Sequence, residues 1–129
     1  MKYHLETTFL IDWHRKSPRV APFRAEILAG LHEISIDPVA ETEYFAIPIL
    51  TRAREISFAS LAILATRLPF TSDAARLAAS WLARMDRPQR RRHFNDALIA
   101  AVAMTNGAIL LTGDKKTDRV FPIRARVYS

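Results

Sequence analysis

The sequence predicts an α/β fold in which a central, mostly parallel sheet lies between two layers of helices. Short apolar segments typical of strands alternate with longer segments whose apolar residues have helical spacing. Strands separated by helices usually pair in parallel, because the chain must cross back over the sheet before the next strand begins. A length of 129 residues, 50% of them hydrophobic, suits a single domain spanning residues 1–129.

The first third of the chain contains two predicted strands. Tyr3 to Leu5 is a short apolar strand, and Thr7 or Thr8 is placed to cap the helix that follows. After a break at Ser17-Pro18, residues 22–31 have helical spacing that ends after Gly30. Residues 33–36 are apolar at alternate positions, which predicts the second strand.

The middle of the chain is mainly helical. Asp37-Pro38 is a helix-opening pair, and the helix that it begins carries Glu41 and Glu43. Residues 52–66 form a second, mostly buried helix, residues 68–71 a possible strand, and Ser72-Asp73 caps a third helix through Leu82.

The last third of the chain provides two further strands. Residues 84–93 are a basic connection broken by proline, after which Asn95 caps a helix over residues 96–105. Asn106-Gly107 ends that helix, and residues 108–112 are the clearest strand in the sequence. Residues 124–128 are predicted as the final strand.

The composition restricts the classes of partner and site. The chain has 19 Lys and Arg against 13 Asp and Glu, a net charge of +6, so we expect polyanionic partners unless the charge only serves solubility. Without cysteine there is no disulfide and no thiolate zinc site. The longest apolar run, residues 97–104, is shorter than the roughly 20 residues that cross a bilayer, and no export signal is visible. A cytoplasmic location is expected.

Four acidic residues stand where the predicted chain passes between strands and helices. Ligands of parallel sheets collect beyond the carboxyl ends of the strands, so these acids are expected in one cleft. Carboxylates that are close together repel each other, and a hard dication such as Mg²⁺ or Mn²⁺ neutralises them. The alternative is a set of solvated turn and first-turn acids without a ligand. The four residues are Glu6, Glu43, Asp96 and Asp114.

Asp96 is the strongest candidate ligand, because it stands at the entrance of an apolar helix where a carboxylate needs a partner. Glu41 competes with Glu43 for the second position. Residues two apart on a helix point to nearly opposite faces, so only one of the pair can face the site. We favour Glu43, whose face is continued by Ile47 and Leu50.

Hydroxyl and guanidinium groups are candidates for substrate binding. Thr7, Thr8 and Thr112 lie close in sequence to the acids and have hydroxyls suited to a water or phosphate, or else to helix capping and strand pairing. Arg90, Arg91 and Arg92 are part of the densest charge in the chain and run directly toward Asp96. They are either phosphate contacts for RNA or a solvated loop.

Around the four acids the sequence resembles the PIN-domain family and, within it, the VapC-like toxins of type II toxin–antitoxin pairs. A strand followed by an acid, a threonine and a helix reading Leu-Ile-Asp is typical of the family's opening. Three further acidic segments match in order, and the last two are the most specific. The matching segments are HLETTFLIDW, VAETEYFA, NDALIAAVA and ILLTGD.

The resemblance implies a PIN-like α/β/α fold and an Mg²⁺- or Mn²⁺-dependent endoribonuclease. It implies that the family's active acids fall on Glu6, Glu43, Asp96 and Asp114. It also implies a homodimer, and a cognate antitoxin that occludes the acid site.

Two positions depart from the family's pattern. Glu6 stands where the family has Asp and is one methylene longer, which changes how its carboxylate reaches a metal. Lys116 and Thr117 stand where the family often has an acid and then an aromatic residue. Because of these departures, an alternative function remains open. In that alternative the chain is a catalytically silent PIN-like module with an RNA-binding or regulatory role.

Overall fold

The sheet has five strands, all parallel, in the order β3-β2-β1-β4-β5. These are findings from a computed structural model, which describes residues 1–48 and 51–129, so that Leu50 lies outside the described residues. The predicted α/β fold with a mostly parallel sheet is confirmed. In chain order, the strands are β1 (Lys2–Leu5), β2 (Glu33–Ile36), β3 (Thr66–Arg67), β4 (Ile109–Thr112) and β5 (Ala125–Val127).

Helices connect the strands and cover the sheet. A short 3-10 turn at Pro18–Val20 separates the first two of them. The helices are α1 (Thr7–His14), α2 (Ala21–Leu28), α3 (Pro38–Phe45), α4 (Arg52–Ala62), α5 (Ser72–Leu82), α6 (Arg87–Arg92), α7 (Phe94–Thr105) and α8 (Thr117–Val120). In the described part of the chain, no helix has the length and apolar character needed to cross a bilayer.

The core is built around the central strands and α7. Tyr3 and Leu5 on β1 and Leu110 and Leu111 on β4 are almost completely buried. Strands of a parallel sheet covered on both faces are apolar at successive positions, which explains why residues 108–112 were recognisable from the sequence. The apolar segment 97–103 of α7 packs in the same core.

The boundaries of β3 and its neighbours differ from the sequence prediction. The strand lies at Thr66–Arg67, not at residues 68–71, and α4 ends at Ala62. The Leu68 N–H still donates to Ile36 O at 2.9 Å, but Ile36 is the last residue of β2, so no described strand lies beside the residues after Leu68 to pair with them. The strand therefore ends before the predicted segment begins.

The cap of α5 and the structure of residues 87–92 were also predicted incorrectly. Thr71, rather than Ser72-Asp73, caps α5, since its hydroxyl accepts from the Ala74 N–H at 3.2 Å. Residues 87–92 form a short helix instead of a broken connection, because Asp86 caps it and Pro88 stands in its first turn, where a missing N–H costs nothing.

The start of α7 differs as well. The helix begins at Phe94, so Asn95 lies inside it and does not cap it.

A buried polar chain connects β1 to the start of α3. His4 is fully buried, with Nε2 2.6 Å from Asp37 Oδ2 and Nδ1 2.7 Å from Ser35 Oγ. Asp37 Oδ1 also accepts from the N–H groups of Val39 and Ala40, which confirms Asp37 as the helix cap. This chain holds α3, the helix that carries Glu43, in a defined position beside β1.

Candidate metal and active site

Glu6 lies at the carboxyl end of the central strand, pointing into a group of hydroxyls. Its backbone is extended, and its N–H donates to Leu111 O at 3.2 Å, which continues the pairing with β4. Its carboxylate atom Oε2 accepts from Thr8 Oγ1 at 2.9 Å and from the Thr112 hydroxyl. The side chain is only 7% exposed, so this carboxylate depends on those hydroxyls for its hydrogen bonds.

Glu43 lies between α1 and α7. Its Oε1 atom accepts from Thr7 Oγ1 at 2.6 Å, and its Oε2 atom accepts from Asn95 Nδ2 at 3.4 Å. Glu41 faces away and forms an ion pair with Arg67 of β3. The structure therefore places Glu43, and not Glu41, beside the other predicted site residues.

Asp96 occupies the first turn of α7 and its side chain is 36% exposed. Partial burial raises the pKa of this carboxyl group, and the charges of Glu43 and Asp114 raise it further. His93, whose Nδ1 lies 3.7 Å from Asp96 Oδ2, opposes the shift. The pKa of Asp96 thus reports a neighbourhood in which three carboxylates repel one another.

Asp114 is held by the loop after β4. Its N–H donates to Thr112 Oγ1 at 3.0 Å, and its Oδ1 atom accepts from the Lys116 N–H at 2.9 Å. The preceding residue, Gly113, donates its N–H to Thr8 Oγ1 at 2.9 Å. Thr8 and Thr112 therefore connect the loop of Asp114 directly to the carboxylate of Glu6.

The electrostatics of Glu6 link it to the rest of the site. Burial raises its pKa to about 7; the hydroxyls of Thr112 and Thr8 lower the pKa, and the charges of Asp96 and Asp114 raise it. The four predicted acids thus form one electrostatic neighbourhood at the carboxyl edge of the sheet, where α/β folds bind ligands.

The donor chemistry of this neighbourhood fits Mg²⁺ or Mn²⁺. Carboxylate and hydroxyl oxygens are the ligands of hard dications, and a dication would offset the burial and the repulsion that together raise the pKa values of Glu6 and Asp96. Nevertheless, within residues 1–48 and 51–129, no three His, Asp or Glu side chains converge closely enough to hold an ion. Glu6 and Glu43 accept instead from threonine hydroxyls.

The raised pKa of Glu6 predicts how stability depends on pH. The folded, metal-free protein retains a proton that the unfolded chain releases, so the free energy of unfolding should fall as pH rises from about 4.5 to about 7. Ionisation of Glu6 should lower the free energy of unfolding by on the order of 3 kcal/mol over this transition. Urea unfolding with EDTA across this range measures it, and Glu6→Gln should remove most of the slope.

Added Mn²⁺ should raise the stability of the wild type most at the alkaline end of this range, where Glu6 is ionised. A slope equal in the wild type and Glu6→Gln would contradict the assigned pKa.

The predicted arginines lie on α6. Arg90 is engaged by the protein itself, since its guanidinium donates to Leu82 O at 3.3 Å and to Met85 O at 3.1 Å. Arg91 and Arg92 are exposed. Arg90 therefore differs from Arg91 and Arg92, although the three form one continuous charged segment in the sequence.

Sequence reasoning missed two polar neighbours of the acids. Asn95 was interpreted as a helix cap but donates to Glu43, and His93, which was not among the predicted site residues, lies beside Asp96. The only sequence signal for either was proximity to Asp96 in the chain.

The sequence model of the PIN domain family matches residues 3–121 of the chain. The chain belongs to the PIN domain family. The resemblance seen in the acidic segments is thereby confirmed, over nearly the whole length. No curated protein sequence matches the chain.

Solved structures with the same fold include several VapBC complexes. VapBC2 from Rickettsia felis, bound to a DNA fragment from the promoter, superposes with a TM-score of 0.72 at 20% identity and full coverage of both chains. DNA-bound VapBC from Salmonella typhimurium gives 0.74 at 19% identity, with 98% of each chain covered. VapBC-1 from nontypeable Haemophilus influenzae gives 0.73 at 18%, with the same coverage. At these sequence identities, the structural similarity shows that the chain shares the fold of these proteins.

Proposed function

We propose that this PIN domain is a metal-dependent endoribonuclease of the cytoplasm and the toxin of a type II toxin–antitoxin pair. PIN domains are generally nucleases. The observation that carries the proposal is the gathering of the acids at the carboxyl edge of the sheet, where Thr112 joins Glu6 to the loop of Asp114 and Asn95, next to Asp96, donates to Glu43. Burial raises the pKa of Glu6 and Asp96, and the neighbouring carboxylates raise it further. Accumulated negative charge of this kind is a feature of dication sites.

The proposed roles follow from the position of each carboxylate. Glu6 and Asp96 would be the principal ligands of Mg²⁺ or Mn²⁺, while Glu43 and Asp114 would complete the site directly, through water or as a base. A bound dication would polarise the phosphodiester and make a water more acidic. Thr7 orients Glu43, and Thr112 connects Glu6 to the loop of Asp114. Hydrolysis would leave a 5′-phosphate and a 3′-hydroxyl.

The proposed partners are RNA, a second copy of the chain and a cognate antitoxin protein. The net charge of +6 supports a polyanionic substrate. The VapBC structures with the same fold support the antitoxin, since VapBC-5 from Mycobacterium tuberculosis, another of them, is described as a member of the VapBC family of toxin–antitoxin systems. The homodimer rests on the family resemblance.

Cleavage of total cellular RNA tests the proposal. We expect fragments to appear with Mg²⁺ or Mn²⁺, to disappear with EDTA, and to return when the metal is restored in excess. Mapping of the fragment ends should find 5′-phosphates and 3′-hydroxyls. Fragments that persist in EDTA, or that carry cyclic phosphates, would contradict metal-dependent hydrolysis.

The second candidate function is a silent PIN-like module that binds RNA or regulates. Two observations favour it, the replacement of the family's Asp by Glu6 and the absence of a converged three-acid cluster in the described residues. RNA that is bound but remains uncut in the presence of Mn²⁺ would support this module over the nuclease.

A further inference from the structure

A small basic pocket with an aromatic wall lies on the surface at the junction of α6 and α7. It is lined by Arg87, Arg90, Arg91 and Phe94 and has a volume of about 260 Å³. Arg87, Arg90 and Arg91 are three or four positions apart on α6 and therefore share one face of that helix, and Phe94 at the start of α7 completes the lining. We call these four residues the Arg–Phe pocket.

The three arginines of the Arg–Phe pocket are not equivalent. Arg90 is held in place by the carbonyls of Leu82 and Met85, so it forms a fixed wall. Arg87 and Arg91 are exposed, and neither has a hydrogen-bond or ion-pair partner among the described side chains. Two guanidinium groups are therefore available to an anionic ligand, and no acidic residue lines the pocket.

Phe94 provides the aromatic wall. Its side chain is 49% exposed and is not part of the hydrophobic core, so packing does not account for an aromatic residue at this position. Proteins hold single-stranded nucleic acids with exposed aromatic rings, on which bases stack, and with basic side chains, which contact the phosphates. The Arg–Phe pocket contains both.

We propose that the Arg–Phe pocket binds one nucleotide of a single-stranded RNA, with the base stacked on Phe94 and the phosphate between Arg87 and Arg91. This inference rests on the proposed function for the choice of RNA. Phe94 lies two residues before Asp96 and therefore faces a different side of α7. None of the four acids lines the pocket, so the pocket is a subsite separate from them, which contributes to RNA affinity and not to the bond-breaking step.

Binding of a short fluorescein-labelled single-stranded RNA, followed by anisotropy in EDTA, tests the pocket without cleavage. Phe94→Ala and Phe94→Leu should each weaken binding about tenfold, because both remove the stacking surface. Phe94→Trp should keep the affinity. The matched control is Met104→Ala, which shortens a side chain of similar exposure, 47%, near the other end of the same helix and should leave binding unchanged.

The two available arginines are tested by a salt titration. Arg87→Gln combined with Arg91→Gln should flatten the dependence of log affinity on log salt by about 1.4, since each lost phosphate contact on a single strand contributes about 0.7. Arg76→Gln, an exposed charge on α5 outside the pocket, should change the slope little. In cleavage assays, Phe94→Ala should raise KM and leave kcat near that of the wild type.

Several results would overturn the pocket assignment. These are a wild type that does not bind the RNA, a Phe94→Ala variant that binds like Met104→Ala, and a Phe94→Leu variant that keeps full affinity, as expected of an apolar protein contact. Sedimentation of the same variants tests whether the pocket contacts a second copy of the chain instead. Altered self-association together with unchanged RNA binding would show that the pocket belongs to an interface between two copies.

The experiments distinguish a failure of the RNA-binding pocket from a failure of the proposed nuclease function. A wild type that binds RNA through Phe94 but does not cut it with Mn²⁺ retains the pocket and removes the nuclease. A wild type that cuts RNA, with binding insensitive to Phe94 and the two arginines, does the reverse.

Discussion

Asp96→Asn should abolish metal-dependent RNA cleavage while leaving the fold intact. The amide keeps the shape of the side chain but removes the charge that would hold a dication. Because the site raises the pKa of Asp96 through burial and repulsion by Glu43 and Asp114, removal of this charge should not destabilise the metal-free protein. Loss of a direct ligand should exceed the roughly 10–100-fold cost of losing an outer-shell partner.

The matched control is Asp73→Asn, which makes the same chemical change in the first turn of α5, where the residue is exposed. It should retain activity. Circular dichroism and RNA cleavage with Mn²⁺ decide between the outcomes. Full activity of Asp96→Asn with an unchanged requirement for metal would remove Asp96 from the site.

The second large effect concerns Glu6. If Glu6 is a working ligand, Glu6→Gln should be inactive, because it removes the charge, and Glu6→Asp should keep or raise activity, because it restores the family's geometry at the same charge. The hydroxyls of Thr8 and Thr112 now hold the longer side chain, so Asp changes reach without losing the polar surroundings. RNA cleavage by the three proteins under identical conditions measures the effect.

Two other outcomes have a defined meaning. An inactive wild type that gains cleavage through Glu6→Asp would establish the silent module as the natural state of this chain. Equal activity in the wild type, Glu6→Gln and Glu6→Asp would exclude Glu6 as a ligand.

The general fold was predictable because its signals are local. Apolar runs of strand length, such as residues 108–112, and helical spacing in residues 96–105 are properties of neighbouring residues, and they survive in the structure as β4 and α7. The errors lay in short elements and at the ends of longer helices, such as the end of α4 and the start of α7. Thr66–Arg67 became a strand because it continues the pairing of β2, and residues 87–92 became a helix because Asp86 caps it.

The acids illustrate how far local signals reach. Their position at the ends of predicted strands and helices indicated a shared cleft, and their electrostatic coupling agrees with that expectation. Their role as metal ligands remains a prediction. Glu43 was favoured over Glu41 because Ile47 continued its face, but α3 ends at Phe45 and Ile47 lies beyond the helix. The ion pair of Glu41 with Arg67 is what separates the two residues.

The sequence by itself determined the alternation of strands and helices, the parallel sheet, the PIN family and the four candidate acids. The tertiary structure decided which groups surround them. The bond from Thr112 to Glu6 joins residues 106 positions apart, and the burial that raises the pKa of Glu6 exists only once β1 and β4 have paired. Periodicity reports the preferences of neighbouring residues, whereas such contacts depend on strand order, which brings distant segments together.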